Sequence, residues 1–98
     1  MNEVKLIGTV CKEPNYRKTP LGKIICDFMI DVKRTDTCND RIPIICFFEL
    51  AEVAKALTVG NVVEIDGRLQ SRKYKPEYED RIRTTWEVSA HLIQRGVA

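Results

Sequence analysis

Val62-Val63-Glu64-Ile65-Asp66-Gly67-Arg68-Leu69-Gln70-Ser71-Arg72-Lys73-Tyr74 alternates as a β-strand and runs into a basic cluster capped by an aromatic ring. Alternation places Val63, Ile65 and Leu69 on one face, and Glu64, Arg68, Gln70, Arg72 and Tyr74 on the other. The first face can enter a core. The second sets cations beside a ring, which suits a phosphate backbone with stackable bases. A solvated strand face would account for the charges but gives no reason to end them on an aromatic. Lys75 extends the cluster, Glu77, Glu79 and Asp80 close it, and Lys12, Arg17, Lys18 and Lys23 form a second basic region.

Upstream of this strand, Leu50, Val53, Ala54 and Leu57 mark the apolar stripe of a short helix over Glu49 to Leu57, broken by Val59-Gly60-Asn61. Val4 to Val10 reads as a first strand, with Gly8 at a bend or bulge. Pro14-Asn15 and Thr19-Pro20-Leu21-Gly22 carry turn chemistry. Ile24 to Val32 is a second strand with Ile24, Cys26, Phe28, Ile30 and Val32 on one face, and residues 35–40 form a loop. Ile42 to Phe48 is a third strand. Beyond the basic cluster, a polar loop with Pro76 leads to a fifth strand at about 82–94. Three strands, one short helix and two strands are the element order of the OB-fold, an all-β five-stranded Greek-key barrel. An SH3-like barrel and a small α+β sheet share parts of the pattern, but the helix between strands three and four favours the OB-fold.

In the third strand Ile42, Ile44, Cys46 and Phe48 share one face, and Arg41, Pro43, Ile45 and Phe47 the other. A small barrel buries one face only, so the second is predicted to serve as a subunit interface, a ligand surface or both. Arg41 and Phe47 suit base stacking, a guanidinium plane and a ring each covering a base. A dimer contact anchored by Phe47 is the competing reading.

A chain of 98 residues has room for one core, so residues 1–98 are read as a single domain. Its 16 basic and 14 acidic residues leave a net charge of only +2, which makes charge placement the informative quantity. No apolar run approaches the roughly 20 residues that span a bilayer, and Met1-Asn2-Glu3 lacks a signal-peptide pattern, so the expected location is cytoplasmic, with no membrane partner. Cys11, Cys26, Cys38 and Cys46 fit no metal-ligand spacing; Cys26 and Cys46 read as small hydrophobes, and Cys38, in a polar loop, as the one reactive thiol. His91, alone of its kind, reads as a packed or surface strand residue. With no nucleophile–base pair, phosphate-cradling glycine loop or ligand cluster, the chain is expected to be non-enzymatic and to use neither cofactor nor metal.

Five segments in register over about 75 residues resemble the bacterial single-stranded DNA-binding proteins. They are Asn2-x-Val4-x-Leu6-Ile7-Gly8, Pro14-x-x-Arg17-x-Thr19-Pro20-x-Gly22, Phe28-x-Ile30, Leu50-Ala51-Glu52 and, most specific, Gly67 to Tyr74. The resemblance implies that Tyr74, at the base of the hairpin between strands four and five, and Phe47 stack on DNA. It also implies two departures: Arg41 stands where the family often has tryptophan, and Asp36 near a position usually aromatic. Trp86 has no counterpart; it is either a substitute platform or, the favoured reading, core of the fifth strand. The expected DNA-contacting residues are Arg17, Lys33, Arg34, Arg41, Phe47, Arg68, Arg72, Lys73, Tyr74, Lys75 and Trp86. Two missing platforms, at roughly 1–3 kcal/mol per stacked base, predict weaker and more salt-dependent binding.

Typical members follow the barrel with a Gly/Gln/Pro-rich tail and an acidic tip, whereas this sequence ends at Gln94-Arg95-Gly96-Val97-Ala98, so no C-terminal tail is expected. That short form, and Gly8-Thr9-Val10-Cys11-Lys12, also resemble the primosomal replication protein PriB. The resemblance implies non-sequence-specific binding of single-stranded DNA in replication, repair or recombination, by a homo-oligomer (tetramer or dimer) associated with the nucleoid. Replication or restart proteins are then expected to dock on the barrel surface. The rival readings are a primosomal restart protein and a protein-interaction subunit of a mobile element with weak DNA binding.

Overall fold

The computed structural model describes residues 1–96, so Val97 and Ala98, part of the ending read as tail-less, lie outside the described residues. Five strands and one helix follow in chain order: β1 (Val4–Lys18), β2 (Ile24–Lys33), β3 (Asn39–Phe47), α1 (Glu49–Ala54), β4 (Val62–Tyr74) and β5 (Arg83–Arg95). They close into a barrel in the order β1-β2-β3-β5-β4, antiparallel throughout except for β3 beside β5. This is the OB-fold expected from the element order.

Period-two alternation fills the interior, with Cys26, Phe28 and Ile30 from β2, Ile44 and Cys46 from β3, Val63 and Ile65 from β4, and Val88 from β5 all buried. The strand β1 serves two neighbours, pairing with β4 over Val4–Thr9 and with β2 over Thr9–Lys18. Gly8 stands at that switch rather than in a bulge. A Cβ there would lie 2.6 Å from the Asp31 carbonyl oxygen, so the two strands approach this closely only over glycine. Pro14-Asn15 forms no turn. The strand continues through it, and the register with β2 slips between Val10 and Lys12 and again between Lys12 and Asn15. Such irregularities accommodate a proline that cannot donate to the ladder. The turn at Thr19–Gly22 forms as expected, with the Gly22 N–H donating to the Thr19 carbonyl at 2.9 Å.

The loop expected over residues 35–40 is shorter, because Asn39 already pairs with Lys33. The helix is shorter too, ending at Ala54, with Ala51 and Ala54 as its buried residues and Val53 left half exposed; Leu57 is buried beyond its end. One and a half turns cannot hold the stripe that a longer helix would align. Strand β4 runs to Tyr74, beyond the barrel proper. Between Asp66 and Gly67 its register against β5 shifts: Asp66 faces Leu92 and Gly67 faces Ala90. His91 is thereby the extra residue of a bulge, which lets Val88, Ala90 and Ile93 all enter the core despite their mixed parity. A Cβ on Gly67 would stand 2.3 Å from the Ser89 carbonyl oxygen.

Candidate nucleic-acid interface

Past Val88 the β4–β5 pair leaves the barrel as a two-stranded ribbon, matched from Gln70 opposite Glu87 to Tyr74 opposite Arg83. Tyr74 therefore closes the ladder on the side of the tip loop, not at the base of the hairpin where the resemblance put it. Opposed residues share a face, so Gln70, Arg72 and Tyr74 lie with Glu87, Thr85 and Arg83 on one side. Leu69, Ser71 and Lys73 lie with Val88, Trp86 and Thr84 on the other. The first side is locked at its root. The Glu87 carboxylate accepts hydrogen bonds from Gln70 Nε2 at 2.6 Å and from Arg72 at 3.1 Å.

That side continues onto the outer face of the barrel. Arg68 is opposite Ser89, Ser89 is beside Ile45, and Ile45 is opposite Asp27, forming one row across β4, β5, β3 and β2. A hollow of about 200 Å³ lies on it, bounded by Lys12, Met29, Pro43, Ile45 and Arg72. Ile45 is fully covered within the chain, so the second face of β3 is less bare than its sequence implied. Phe47 is half-buried, with the Lys23 ammonium 4.6 Å from its ring centroid.

Most of the predicted cations have a carboxylate partner, some across the strands and some at the β2–β3 turn. Arg17 pairs with Asp27 at 2.8 Å, Arg41 Nε with Asp31 at 3.5 Å, and Lys33 with Asp36 at 3.4 Å. Arg34 donates from Nε to Asp40 at 2.9 Å, and this hydrogen bond holds the Asp40 carboxyl below its ordinary range, outweighing the opposing effect of desolvation. Among the described residues, Arg68, Lys73 and Lys75 take part in no ion pair of 4 Å or less. The predicted set thus divides. Arg17, Arg41, Phe47, Arg68, Arg72 and Tyr74 share the continuous outer surface, Lys33 and Arg34 sit at the β2–β3 turn, Lys75 enters the tip loop, and Lys73 and Trp86 occupy the reverse of the ribbon.

Trp86 is not core: 59% of it is exposed, because β5 has already left the barrel at that position. Two residues that hold the site were missed in the sequence. Asn2 pins the ribbon's root, its Nδ2 donating to the Leu69 carbonyl at 2.7 Å and its Oδ1 accepting from the Leu69 N–H at 3.0 Å. Glu87 clamps Gln70 and Arg72. Asn2 carries no periodicity signal, though it opens the motif beginning Asn2-x-Val4. Burial pushes the thiols of Cys26 and Cys46, which face each other across β2 and β3, up to about 11 and about 12, so both stay protonated near neutrality. Among the described residues no three His, Cys, Asp or Glu side chains are grouped to hold a metal ion, and no helix is long and apolar enough to cross a membrane.

Comparison with known proteins agrees with this geometry. The family model described as "Single-strand binding protein family" matches residues 1–95. The single-stranded DNA-binding protein A of Bacillus subtilis is 36% identical over 101 residues, covering 96% of this chain and 58% of that protein. The single-stranded DNA-binding protein 1 of Staphylococcus aureus is also 36% identical, with coverages of 96% and 60%. The chain thus spans about 60% of the length of these relatives. A crystal structure of a deletion mutant of the single-stranded DNA binding protein from Thermus aquaticus superposes with a TM-score of 0.78 at 26% identity, over 100% of this chain and 42% of that one. A family match over almost the whole barrel, with the same fold in a solved relative, means that this chain belongs to the single-strand binding protein family.

Proposed function

We propose that the protein binds single-stranded DNA without sequence preference, by stacking bases on Tyr74 and Phe47 and by contacts from Arg68, Arg72, Lys73 and Lys75 to phosphates. The observation that carries this reading is the ribbon, where an exposed Tyr74 is flanked along the strand by Lys73 and Lys75, which form no ion pair among the described residues. Arg17, Lys33, Arg34 and Arg41 contribute as a second rank, since phosphate must compete with their present partners, as it must at Arg72, which shares Glu87 with Gln70. Binding is non-catalytic and uses no cofactor. It serves replication, repair or recombination in the cytoplasm, at the nucleoid, where single strands are exposed. The barrel works as a homo-oligomer; Ile7, Val62 and Leu92 point outward from β1, β4 and β5 at 37–54% exposure and supply an apolar face for a second copy. Replication proteins dock on the remaining barrel surface.

Fluorescence anisotropy of labelled oligo-dT and of a matched duplex, at two salt concentrations, tests the reading. Single strands are expected to be preferred, with affinity falling on Tyr74→Ala and less on Phe47→Ala. Equal binding of both DNA forms, or none at low salt with oligomers intact, defeats it and leaves the barrel as a protein-interaction scaffold.

A further inference from the structure

Trp86, the chain's only tryptophan, borders a groove of about 310 Å³ on the reverse of the ribbon. Val4, Leu6, Ile42, Pro43 and Leu69 make its apolar floor and walls, and Arg41 stands on its rim. These residues are the unfinished end of the barrel interior. Val4, Leu6 and Ile42 are partly buried against the core, while Leu69 and Trp86 extend the same face past its end. Among the described residues the indole is left 59% exposed. No hydrogen bond from it is made among the described residues, and the ring lies beside open space rather than under a neighbouring strand.

We propose that this groove is a second nucleobase subsite, so that a single strand passing Tyr74 rounds the ribbon and stacks a base on Trp86. The inference rests on the protein being a single-strand binder. Charge favours a base over an apolar peptide. Lys73 shares the ribbon face with Trp86, two positions along the strand from the residue opposite it, and forms no ion pair among the described residues. Arg41 lines the groove itself with its Nε 3.5 Å from Asp31; both can serve flanking phosphates, Arg41 by exchanging that partner. Lysine is depleted at protein–protein contacts, which argues against a second copy as the occupant. Glu87 also lines the groove, but its carboxylate is already engaged by Gln70 and Arg72. The groove is continuous with the outer surface, since Pro43 and Glu87 border both hollows. Tyr74 and Trp86 lie on opposite faces three residues apart along the ribbon, about 10 Å at the rise of a strand.

A lone tryptophan makes its own probe. Emission from the wild type is followed during titration with oligo-dT and with an abasic deoxyribose-phosphate strand of equal length, while anisotropy of the labelled strands reports binding independently. Oligo-dT is expected to quench Trp86 and the abasic strand to leave it bright. Trp86→Ala is expected to weaken oligo-dT binding about tenfold, with Trp86→Phe within about threefold of wild type and Lys73→Gln in between. Oligo-dT binding with unchanged emission and a wild-type affinity for Trp86→Ala overturns the subsite and leaves the single-strand reading standing. Absence of oligo-dT binding in every form removes that reading and the subsite together. A change of oligomeric state in Trp86→Ala with DNA affinity preserved makes the groove a contact between copies and also overturns the proposal. The wild-type titration decides the matter even if a variant fails to fold.

Discussion

The outer face of β2 and β3 and the β4–β5 ribbon both offer a ring among cations, but in different electrostatic states. On the face, Arg17 is held by Asp27 and Arg41 by Asp31, while the Phe47 ring carries Lys23. On the ribbon, Arg72 shares Glu87 with Gln70, yet Lys73 and Lys75 are unpaired among the described residues and Tyr74 is 44% exposed. The difference lies in cross-strand register. Each arginine of the face meets an aspartate carried by β2, whereas the ribbon's partner strand brings Arg83, Thr84, Thr85 and Trp86 opposite the basic run. Counting cations along a sequence therefore overstates the positive surface of the face more than that of the ribbon, where Arg72 is paired but, among the described residues, Lys73 and Lys75 are not.

The largest expected effect comes from dislodging the ribbon altogether. Gly67 sits at its root, where an added Cβ would press on the Ser89 carbonyl at 2.3 Å. Gly67→Ala is expected to cost about 3 kcal/mol of stability in a urea melt, in the range of overpacked cores, because the obstacle is backbone and cannot swing away. A loss under about 0.5 kcal/mol would mean that β4 and β5 separate easily, and that the ribbon is less firmly set than the face.

The next effect compares the rings directly. Tyr74→Ala is expected to weaken oligo-dT binding by about 2 kcal/mol, within the range known from single-strand binders of this same kind. Phe47→Ala is expected to cost about half as much, since Lys23 already occupies one face of its ring. Equal losses would erase the contrast between the two regions, and a larger loss at Phe47 would reverse it.

Much of this was legible in the sequence because period-two alternation reports burial directly. The buried sets of β2 and β4, the order of elements and the basic run ending on Tyr74 all follow from it. What escaped depends on pairs distant along the chain. The continuation of β1 through Pro14 depends on register slips against β2 that leave no local mark. The bulge at His91 inverts the parity of β5, so Leu92 faces outward and Ile93 inward. Trp86 looked like core because alternation identifies a face without saying where the barrel ends along it. The carboxylate partners of Arg17 and Arg41 were visible as residues but not as neighbours.

A smaller effect tests strain where the face meets the helix. Phe48 adopts φ 54°, in the left-handed region, with its side chain 55% exposed. Its backbone is fixed at both sides: the N–H donates to the Ile24 carbonyl at 3.0 Å, and its carbonyl accepts from Ala51 N–H at 3.0 Å. Glycine adopts such a conformation without a Cβ penalty. Phe48→Gly is expected to raise stability by about 1 kcal/mol in the same urea melt. A destabilised variant would show that the exposed ring contributes contacts worth more than the strain it causes.

The smallest effect bears most directly on the comparison. If carboxylates restrain the β2–β3 face, neutralising them converts it toward the state of the ribbon. Asp27→Asn and Asp31→Asn keep the shape and remove one negative charge each, leaving Arg17 and Arg41 to meet phosphate. Both pairs are partly solvent-exposed, where such interactions are worth about 0–1 kcal/mol, so each substitution is expected to strengthen oligo-dT binding by about 0.5 kcal/mol at low salt. The slope of log affinity against log salt is expected to steepen by about 0.7 per freed arginine, because each newly neutralised phosphate releases its counterion. Alanine at Arg17 or Arg41 is expected to change affinity less than alanine at Lys73, although an unaided count gives all three equal weight. Weaker binding in the asparagine variants would mean that the aspartates hold the arginines in the orientation DNA needs. Pairing would then be preorganisation, and the face would be as ready for a strand as the ribbon beside it.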